Sequence, residues 1–536
     1  MTSPVIHTQD RSFVEAQLRP FPAVFQKKLL LNYNEIVKKH DRRTANLFLL
    51  NIKEQLEPEI IKRLTFSTLN MDESDLKSLS SLKANKCKEI WRSTRTDALR
   101  IPYKRLLAFI RTHGIQPSFI KEKPVEQDYL SLIRRALDPS WWLQNLRKVQ
   151  SRDIETVARA FNFISKKKEI YASNLNVRRR RKQKKAQHDY LEKLVATNEN
   201  GDQFKLSDLK ATSISNPYIK KSELNVRARG FEEYAKEQQH VALFLTITCP
   251  SKYHRAYGTS GDAAPNWNGS SPIDAQEYLK NIWAKMRASF KRHGLYPYGL
   301  RIAEPHHDGT PHWHLLLFVP PEHKSKLLDI MKRYSFEEDG DEQGADQHRF
   351  KIVEIDPKKG SATGYIVKYV SKNIDGENLD IGVYGENPIE AAERVETWAS
   401  VWSIRQFQQI GGAQVSIWRE LRRMEAVAEK GSVIEEARLA ADNSDWKAYQ
   451  EAMGGVICLR KDRPLQMVYE DDVNTDTGEL RQNQYEELSA PKIFGIKSGV
   501  TLINTRPHTW TVSKVFEENP ENASNLLSKK LETLKG

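Results

Sequence analysis

Cysteine is scarce in this sequence. The three cysteines, Cys87, Cys249 and Cys458, lie far apart along the 536 residues. This distribution excludes a disulfide-rich secreted scaffold and a zinc site built from closely spaced cysteines. We therefore expect a protein of a reducing compartment.

Long apolar segments are also missing. No apolar run approaches the ~20 residues that a membrane-spanning helix requires. The first residues, Met1-Thr2-Ser3-Pro4-Val5-Ile6-His7, show no basic segment followed by an apolar one. The sequence contains no Gly-x-x-x-x-Gly-Lys-Ser/Thr motif, so we do not expect a P-loop helicase within this chain. These absences predict a soluble cytoplasmic protein that has no membrane partner.

Positive charge is in excess, with 84 Lys and Arg against 70 Asp and Glu and a formal net charge of +14. A surplus of this size is typical of nucleic-acid-binding proteins, although a basic protein of another kind shows it too. The densest basic segment consists of Arg178, Arg179, Arg180, Arg181, Lys182, Lys184 and Lys185. We predict that these side chains contact DNA phosphates, and a solvated helix face or a linker is the structural alternative.

The hydrophobic pattern divides the chain into five regions. We predict a mostly helical N-terminal region over 1–170, for which DNA recognition is one possible role, and a basic linker or arm over 171–235. An α+β domain over 236–378 is followed by a helical extension over 379–455, which includes a return to helix from Trp398 to Arg423. A small β-rich region and a polar tail are predicted over 456–536.

The 236–378 region alternates between strand and helix patterns. Strands are predicted at Ala242–Thr248, Tyr298–Glu304, His312–Val319 and Phe350–Ile355. Helices are expected in the first and third connections, and a last helix runs from about 361 to 373. The order β-α-β-β-α-β is the ferredoxin-like signature. It predicts one antiparallel sheet of four strands with helices on one face.

Two histidines begin the third predicted strand. Because strand side chains alternate between faces, His312 and His314 point the same way and Trp313 points the other way. Two imidazoles on one face can bind one divalent metal. Glu304, at the end of the preceding strand, reaches the same point if the two strands pair, and its carboxylate would suit Mg²⁺ or Mn²⁺. His306, His307 and Asp308 are alternative ligands, and an aromatic strand face packed on the core is the structural alternative.

Two tyrosines occupy one face of the last predicted helix. Tyr365 and Tyr369 are helical neighbours, and Lys368 and Lys372 each follow a tyrosine by three residues. A phenol has a pKa of ~10 and is a weak nucleophile, but a nearby cation favours the phenolate. A metal pair followed by a tyrosine pair predicts attack by a tyrosine on a metal-polarised phosphodiester. Core packing of the tyrosines is the structural alternative.

These motifs, in this order, resemble those of HUH endonucleases of the rolling-circle replication class. Phe244-Leu245-Thr246-Ile247-Thr248 is similar to the first family motif, Pro311 to His314 to the second, and Tyr365 to Lys372 to the third. The paired tyrosine is typical of phage replication gene A proteins. The resemblance extends over about 135–425 and includes Asn216-Pro217, Arg229-Gly230, Ile404 to Gly412 and Trp418 to Arg423.

The resemblance implies a central ferredoxin-like HUH nuclease domain that acts as a site-specific single-strand DNA endonuclease, of the hydrolase class, and as a strand transferase. One tyrosine would attack origin DNA to form a 5′-phosphotyrosine link and a free 3′-hydroxyl for rolling-circle replication, and the strand would later be rejoined. Tyr365 and Tyr369 would be alternating nucleophiles beside Lys372. The ligands of Mg²⁺ or Mn²⁺ would be His312, His314 and Glu304. The DNA is expected to be single-stranded at the nick, and a separate host helicase would act with the protein in the bacterial cytoplasm.

Two alternatives remain open at this point. An HUH-type transposase can share this motif order, whereas relaxases usually place the tyrosine before the histidines. A non-catalytic DNA-binding regulator would explain the positive charge. It would leave the histidine and tyrosine pairs without a role.

Overall fold

The computed structural model describes residues 8–54, 68–94, 98–355, 360–377, 380–425, 431–474 and 477–514. The chain has the mixed α+β composition that the sequence predicts, with antiparallel sheets and many helices. The described cysteines are all unpaired. None of the described helices combines the length and the apolar character needed to cross a membrane.

Helices make up the regular structure of the N-terminal region. They are α1 (Arg11–Leu18), α2 (Ala23–Lys39), α3 (Arg42–Glu54), α4 (Glu73–Ser93), α5 (Arg100–Arg111), α6 (Glu126–Leu137) and α7 (Pro139–Ala160). Two apolar cores hold them together, and α7 contributes to both. Trp142 of α7 packs in the core of α4 to α6, and Ile154 packs in the core of α1 to α3. Asp138 caps α7 and Pro139 begins it, as is common at helix N-termini.

The predicted basic arm contains regular structure. Its elements are α8 (Asn174–Leu191), β1 (Leu194–Asn198), β2 (Gln203–Lys205), α9 (Leu206–Ala211) and α10 (Pro217–Glu237). Ser173 caps α8, so the dense basic segment lies within a helix. The strands β1 and β2 form an antiparallel hairpin.

A five-stranded antiparallel sheet forms the centre of the chain. Its strands are β3 (Val241–Thr248), β4 (Tyr298–Pro305), β5 (Pro311–Val319), β6 (Phe350–Glu354) and β7 (Phe407–Ile410), in the order β6-β3-β5-β4-β7. The helices that follow β3 and β5 are α11 (Pro272–Arg292) and α12 (Pro321–Ser335), and α13 (Ala345–His348) precedes β6. Two further helices, α14 (Ala362–Ile374) and α15 (Pro388–Trp402), lie between β6 and β7.

The fifth strand corrects the prediction of helix from Trp398 to Arg423. The helix α15 ends at Trp402, and the next residue, Ser403, has a left-handed backbone with φ of 54°. The strand β7 begins four residues later, at Phe407, and pairs with β4, and helix resumes only at α16 (Val415–Leu421). The sequence of β7 is short and half polar, so its local pattern does not distinguish a strand from a helix.

Helices cover both faces of the sheet, so the prediction of helices on one face is wrong. Leu315 and Leu317 pack with Leu279 of α11 in one core. Leu316 and Phe318 pack with α10 and α14 in the other core. Every residue of β4 and β5 is buried. The unbroken apolar run at the end of β5 is the pattern of a strand that is buried on both faces.

The C-terminal region contacts earlier parts of the chain. It contains α17 (Val433–Asp442), α18 (Trp446–Ala452), β8 (Gln466–Glu470), β9 (Lys492–Ser498), β10 (Thr501–Asn504) and β11 (Trp510–Lys514). The strands β8 to β10 form one sheet, whereas β11 pairs with β1 and extends the earlier hairpin. The polar tail predicted after these strands lies outside the described residues.

A turn before β9 contacts helix α6. The carboxylate of Glu487 accepts hydrogen bonds from both terminal nitrogens of Arg135, at 2.9 and 2.7 Å, and from Ser131 Oγ at 2.6 Å. The Arg135 guanidinium carbon lies 4.5 Å from the ring centroid of Phe119 and 4.2 Å from that of Tyr485. These contacts anchor the C-terminal region to the N-terminal helices.

We expect Glu487→Gln to lower the unfolding free energy by about 1 kcal/mol at pH 7, because a partly exposed ion pair is screened by water. The hydrogen bond from Arg135 opposes the effect of burial and lowers the pKa of Glu487 to about 2. Since the folded state has the lower pKa, this stabilisation is full above the ordinary glutamate pKa and disappears as the pH falls toward 2. Urea unfolding at pH 7 and about pH 3 measures the difference. Equal losses at both pH values, or an equal loss in the exposed control Glu470→Gln, would contradict the expectation.

Candidate active site

The register of the central strands brings three polar side chains together. Glu304 of β4 is directly opposite His312 of β5, and His314 follows on the same face. On the other side of β5, Thr246 of β3 is opposite His314. Because directly paired residues share a face, Glu304, His312 and His314 converge, and their ligand atoms lie within 4.8 Å of one another.

The distances within this group suit a single cation. His312 Nε2 and His314 Nε2 are 2.9 Å apart. Glu304 Oε2 lies 3.9 Å from His312 Nε2 and 3.6 Å from His314 Nε2. Two ligand atoms that are each ~2.1 Å from an octahedral ion lie about 3.0 Å apart at adjacent positions around the ion. At opposite positions they lie about 4.2 Å apart. The observed separations are close to or within this range, so the three side chains could hold Mg²⁺ or Mn²⁺.

Burial sets the protonation state of His312. Burial lowers the pKa of His312 well below its ordinary value, and His306, His314 and Lys372 lower it further. Neutral imidazole is the form that binds metals. The ring of His314 is oriented by a 2.9 Å hydrogen bond between Nδ1 and Thr246 Oγ1, which leaves Nε2 facing the group.

Glu304 is fully buried. Burial alone would raise its pKa, but the Lys372 ammonium and His314 outweigh it and lower the pKa to about 2. Lys372 Nζ lies 2.9 Å from Glu304 Oε2, the oxygen that faces the imidazoles. The carboxylate is therefore ionised at neutral pH, and one of its oxygens is shared by the lysine and the histidine pair.

Helix α14 places both tyrosines beside this group. Ser361 caps the helix by accepting a hydrogen bond from Gly364 N at 2.9 Å. The Tyr369 ring centroid is 4.2 Å from that of His314 and 5.0 Å from that of Phe244. The Tyr365 ring centroid is 6.0 Å from that of Phe244, and this residue is 40% exposed.

The two tyrosines therefore have different environments. Tyr369 is half-buried against an imidazole, and Tyr365 is open to solvent. Burial, followed by the charge of Glu304, raises the pKa of Tyr369. A protonated phenol is a weak nucleophile, so this tyrosine needs a nearby cation before it can attack a phosphate.

The loop between β4 and β5 does not join the group. Asp308 is fully buried and accepts hydrogen bonds from the backbone nitrogens of Arg255, at 2.8 Å, and Thr310, at 3.0 Å. The His306 ring centroid lies 4.1 Å from that of His312. Among the described residues, the group of converging donors does not include His306, His307 or Asp308. The hydrogen bonds of Asp308 give it a structural role in the loop.

The basic helix α8 has two different faces. Arg180 and Lys184 form ion pairs with Glu396 of α15, and Arg181 pairs with Glu393. Arg179 donates to Gln150. Arg178, Lys182 and Lys185 are exposed, lie on one helix face and form no ion pair within the described part of the chain. We call these last three residues the exposed basic stripe.

Two residues near the site received no individual role from the sequence. Thr246 lies within the first motif, but its hydrogen bond to His314 becomes evident only when β3 pairs with β5. Asn373 follows Lys372 directly and is 2% exposed. Its amide donates to Glu304 across the gap between α14 and β4. Such contacts between distant segments have no local pattern in the sequence.

Comparisons with known proteins agree with these motifs. The family described as bacteriophage replication gene A protein matches residues 62–377. The replication gene A protein of Escherichia phage 186 is 41% identical over 354 residues, which cover 64% of this chain and 51% of that protein. The probable replication protein P12 of Pseudoalteromonas phage PM2 is 32% identical over 540 residues, which cover 94% of this chain and 82% of that protein.

A third relative carries a more specific description. A probable replication endonuclease from a prophage-like region of Shigella boydii is 31% identical over 421 residues, which cover 74% of this chain and 51% of that protein. The chain spans about half the length of several of the curated relatives that it matches. No solved structure matches it.

Proposed function

This chain belongs to the bacteriophage replication gene A protein family, and from that membership we propose that it is a replication-initiation endonuclease. It nicks one strand of phage origin DNA and later rejoins that strand. The observation that carries the proposal is the buried group of Glu304, His312 and His314, with the Tyr369 ring packed against it. The name of the Shigella boydii relative, a probable replication endonuclease, supports the same activity.

The connections of the central sheet support an HUH nuclease domain. The strands β3, β4, β5 and β6 and the helices α11 and α12 follow the order β-α-β-β-α-β, which is the ferredoxin-like pattern. The histidines lie on β5, a central strand of the sheet, and the tyrosine helix follows the fourth strand. We propose that this unit, over about 236–378, is the nuclease domain.

We propose that His312, His314 and Glu304 hold Mg²⁺ or Mn²⁺, which when bound supplies a Lewis acid for a phosphate oxygen. The tyrosine oxygen forms a bond to phosphorus, and the bond between phosphorus and O3′ breaks. The phenol loses its proton and the leaving O3′ gains one, so the products are a 5′-phosphotyrosine and a free 3′-hydroxyl. The new diester keeps its reactivity, and a 3′-hydroxyl can displace the tyrosine without ATP.

The residues around the tyrosines suggest how they act. Lys372 follows Tyr369 by one helical turn, and its ammonium group beside Glu304 can favour the phenolate or the phosphate. Tyr365 and Tyr369 face the same ring, Phe244, so either could serve the same metal. We propose that they alternate, one for the first nick and the other for the nick that ends a round.

DNA reaches the site as a single strand. We propose that the exposed basic stripe contacts its phosphates, and that a separate host helicase opens the duplex in the bacterial cytoplasm. An HUH-type transposase or relaxase is the enzymatic alternative, and membership of the replication gene A family favours a replication role. A non-catalytic regulator would need neither the buried donors nor the tyrosines.

The proposal predicts one Mn²⁺ site per chain. His312→Ala and His314→Ala should each weaken Mn²⁺ binding by more than about 100-fold, because loss of a direct ligand costs more than the roughly 10–100-fold of an outer partner. Electron paramagnetic resonance of free Mn²⁺ measures the binding without DNA. His293→Ala, which removes an exposed histidine at the end of α11, is the control. Wild-type affinity in either site variant would identify another ligand set.

The tyrosines can be tested with single-stranded DNA of random sequence, labelled at its 3′ end. Wild-type protein with Mn²⁺ should form a labelled adduct that survives detergent, because the 5′ end of the released segment stays on the tyrosine. The double variant Tyr365→Phe, Tyr369→Phe should form at least ~1000-fold less adduct, since it lacks the nucleophile, and should still bind Mn²⁺. Tyr218→Phe, at a tyrosine 70% exposed on α10, should behave as wild type. Adduct that persists in the double variant would refute the assignment.

The exposed basic stripe offers a matched pair of variants. Replacing Arg178, Lys182 and Lys185 by Gln should reduce the slope of log affinity against log salt by about 2, because each phosphate contact on a single strand contributes roughly 0.7. Replacing Arg180, Arg181 and Lys184 by Gln removes the same charge from the face that pairs with α15, and should leave the slope nearly unchanged. Fluorescence anisotropy with labelled single-stranded DNA measures both. Equal changes would mean that only net charge matters.

A further inference from the structure

The two oxygens of the Glu304 carboxylate have different partners. Oε2 faces Lys372 Nζ at 2.9 Å and His314 Nε2 at 3.6 Å. Oε1 accepts a hydrogen bond from the side-chain amide of Asn373. Only Oε2 is therefore directed at the point where the two imidazoles converge.

Asn373 lies in the last turn of α14, and its side chain contacts β4, its own helix and Gln406 just before β7. Its Nδ2 also donates to the backbone oxygen of Tyr369 at 2.7 Å. On the opposite side, Gln406 Nε2 lies 3.5 Å from Asn373 Oδ1. The backbone oxygen of Gln406 accepts a 2.7 Å hydrogen bond from Ala303 N, next to Glu304. These contacts orient the amide so that its NH₂ group faces the carboxylate.

We propose that Asn373 is a positioning residue for the metal ligand Glu304, an inference that rests on the proposed function. By holding Oε1, it prevents the carboxylate from rotating and keeps Oε2 directed at His312 and His314. By bonding to the backbone of Tyr369 with the same NH₂ group, it links this ligand to the helix that carries the tyrosines. The carboxylate and the nucleophiles then keep a constant relative position.

The burial of the site makes this hydrogen bond important. A buried carboxylate that loses a donor pays the cost of an unsatisfied charge, because no water replaces the missing partner. Lys372 bonds to Oε2, the oxygen that the metal needs, so the lysine and the metal compete for it. Without Asn373 the carboxylate could rotate and bind the lysine with either oxygen, which would favour the lysine in this competition. Outer partners of metal ligands typically contribute 10–100-fold to metal affinity, on the order of what such competition costs.

The test compares Mn²⁺ binding by the full chain, without DNA, in wild type and Asn373→Leu. Leucine has the branched shape of asparagine, is larger, and cannot donate a hydrogen bond. We expect the dissociation constant for Mn²⁺, from electron paramagnetic resonance, to rise by about 10–100-fold. The Mn²⁺ concentration for half-maximal adduct formation should rise by the same factor, whereas the rate at saturating Mn²⁺ should recover to within about tenfold. A general loss of structure would lower the saturated rate and the melting temperature together.

Two further variants make the outcome decisive. Gln406→Leu, which leaves Asn373 in place, should move the dissociation constant in the same direction by a smaller factor. It also tests the inference if Asn373→Leu does not fold. Ser371→Ala alters a buried residue in the same helical turn and should leave Mn²⁺ binding unchanged. Wild-type Mn²⁺ affinity in a folded Asn373→Leu protein would overturn the positioning role alone. Failure of the wild-type chain to bind Mn²⁺ would instead overturn the proposed function, and the inference with it.

Discussion

The pairing of β4 with β5 is the constraint on which the candidate site depends. Its register sets Glu304 opposite His312, and the alternation of strand side chains adds His314 to the same face. A shift of one residue would turn both imidazoles into the opposite core. The pairing of β5 with β3 on one side and with β4 on the other holds this register. The residues that stabilise the sheet therefore also fix the geometry of the donors.

Burial gives these donors their chemical character. Burial holds the His312 imidazole neutral, whereas the adjacent lysine keeps the Glu304 carboxylate ionised. Two nitrogens and a carboxylate that converge in this way are a donor set suited to a divalent cation. The same helix supplies the lysine, the asparagine and both tyrosines. Movement of α14 against the sheet would therefore change the proposed metal ligand and the proposed nucleophiles together.

The sequence predicted the parts of the site that follow the repeat of a single strand or helix. The alternation of strand side chains places His312 and His314 on one face, and helical spacing does the same for Tyr365 and Tyr369. The strand pattern that ends at Glu304 indicates that its carboxylate can reach the histidines. Contacts between distant segments were not predictable in this way. The hydrogen bond of Asn373, the pairing of β11 with β1 and the helices on the second face of the sheet depend on tertiary packing. The short strand β7 was missed because its polar residues match neither period.

The central claim is that one divalent cation binds where β4, β5 and α14 meet. The most direct measurement is a crystal structure of the chain grown with Mn²⁺, with the ion located by its anomalous scattering. We expect one peak about 2.2 Å from Nε2 of His312, Nε2 of His314 and Oε2 of Glu304, with Lys372 Nζ moved away from that oxygen. An anomalous peak on the loop residues 306–308 instead, or no peak beside the two imidazoles at saturating Mn²⁺, would contradict the claim.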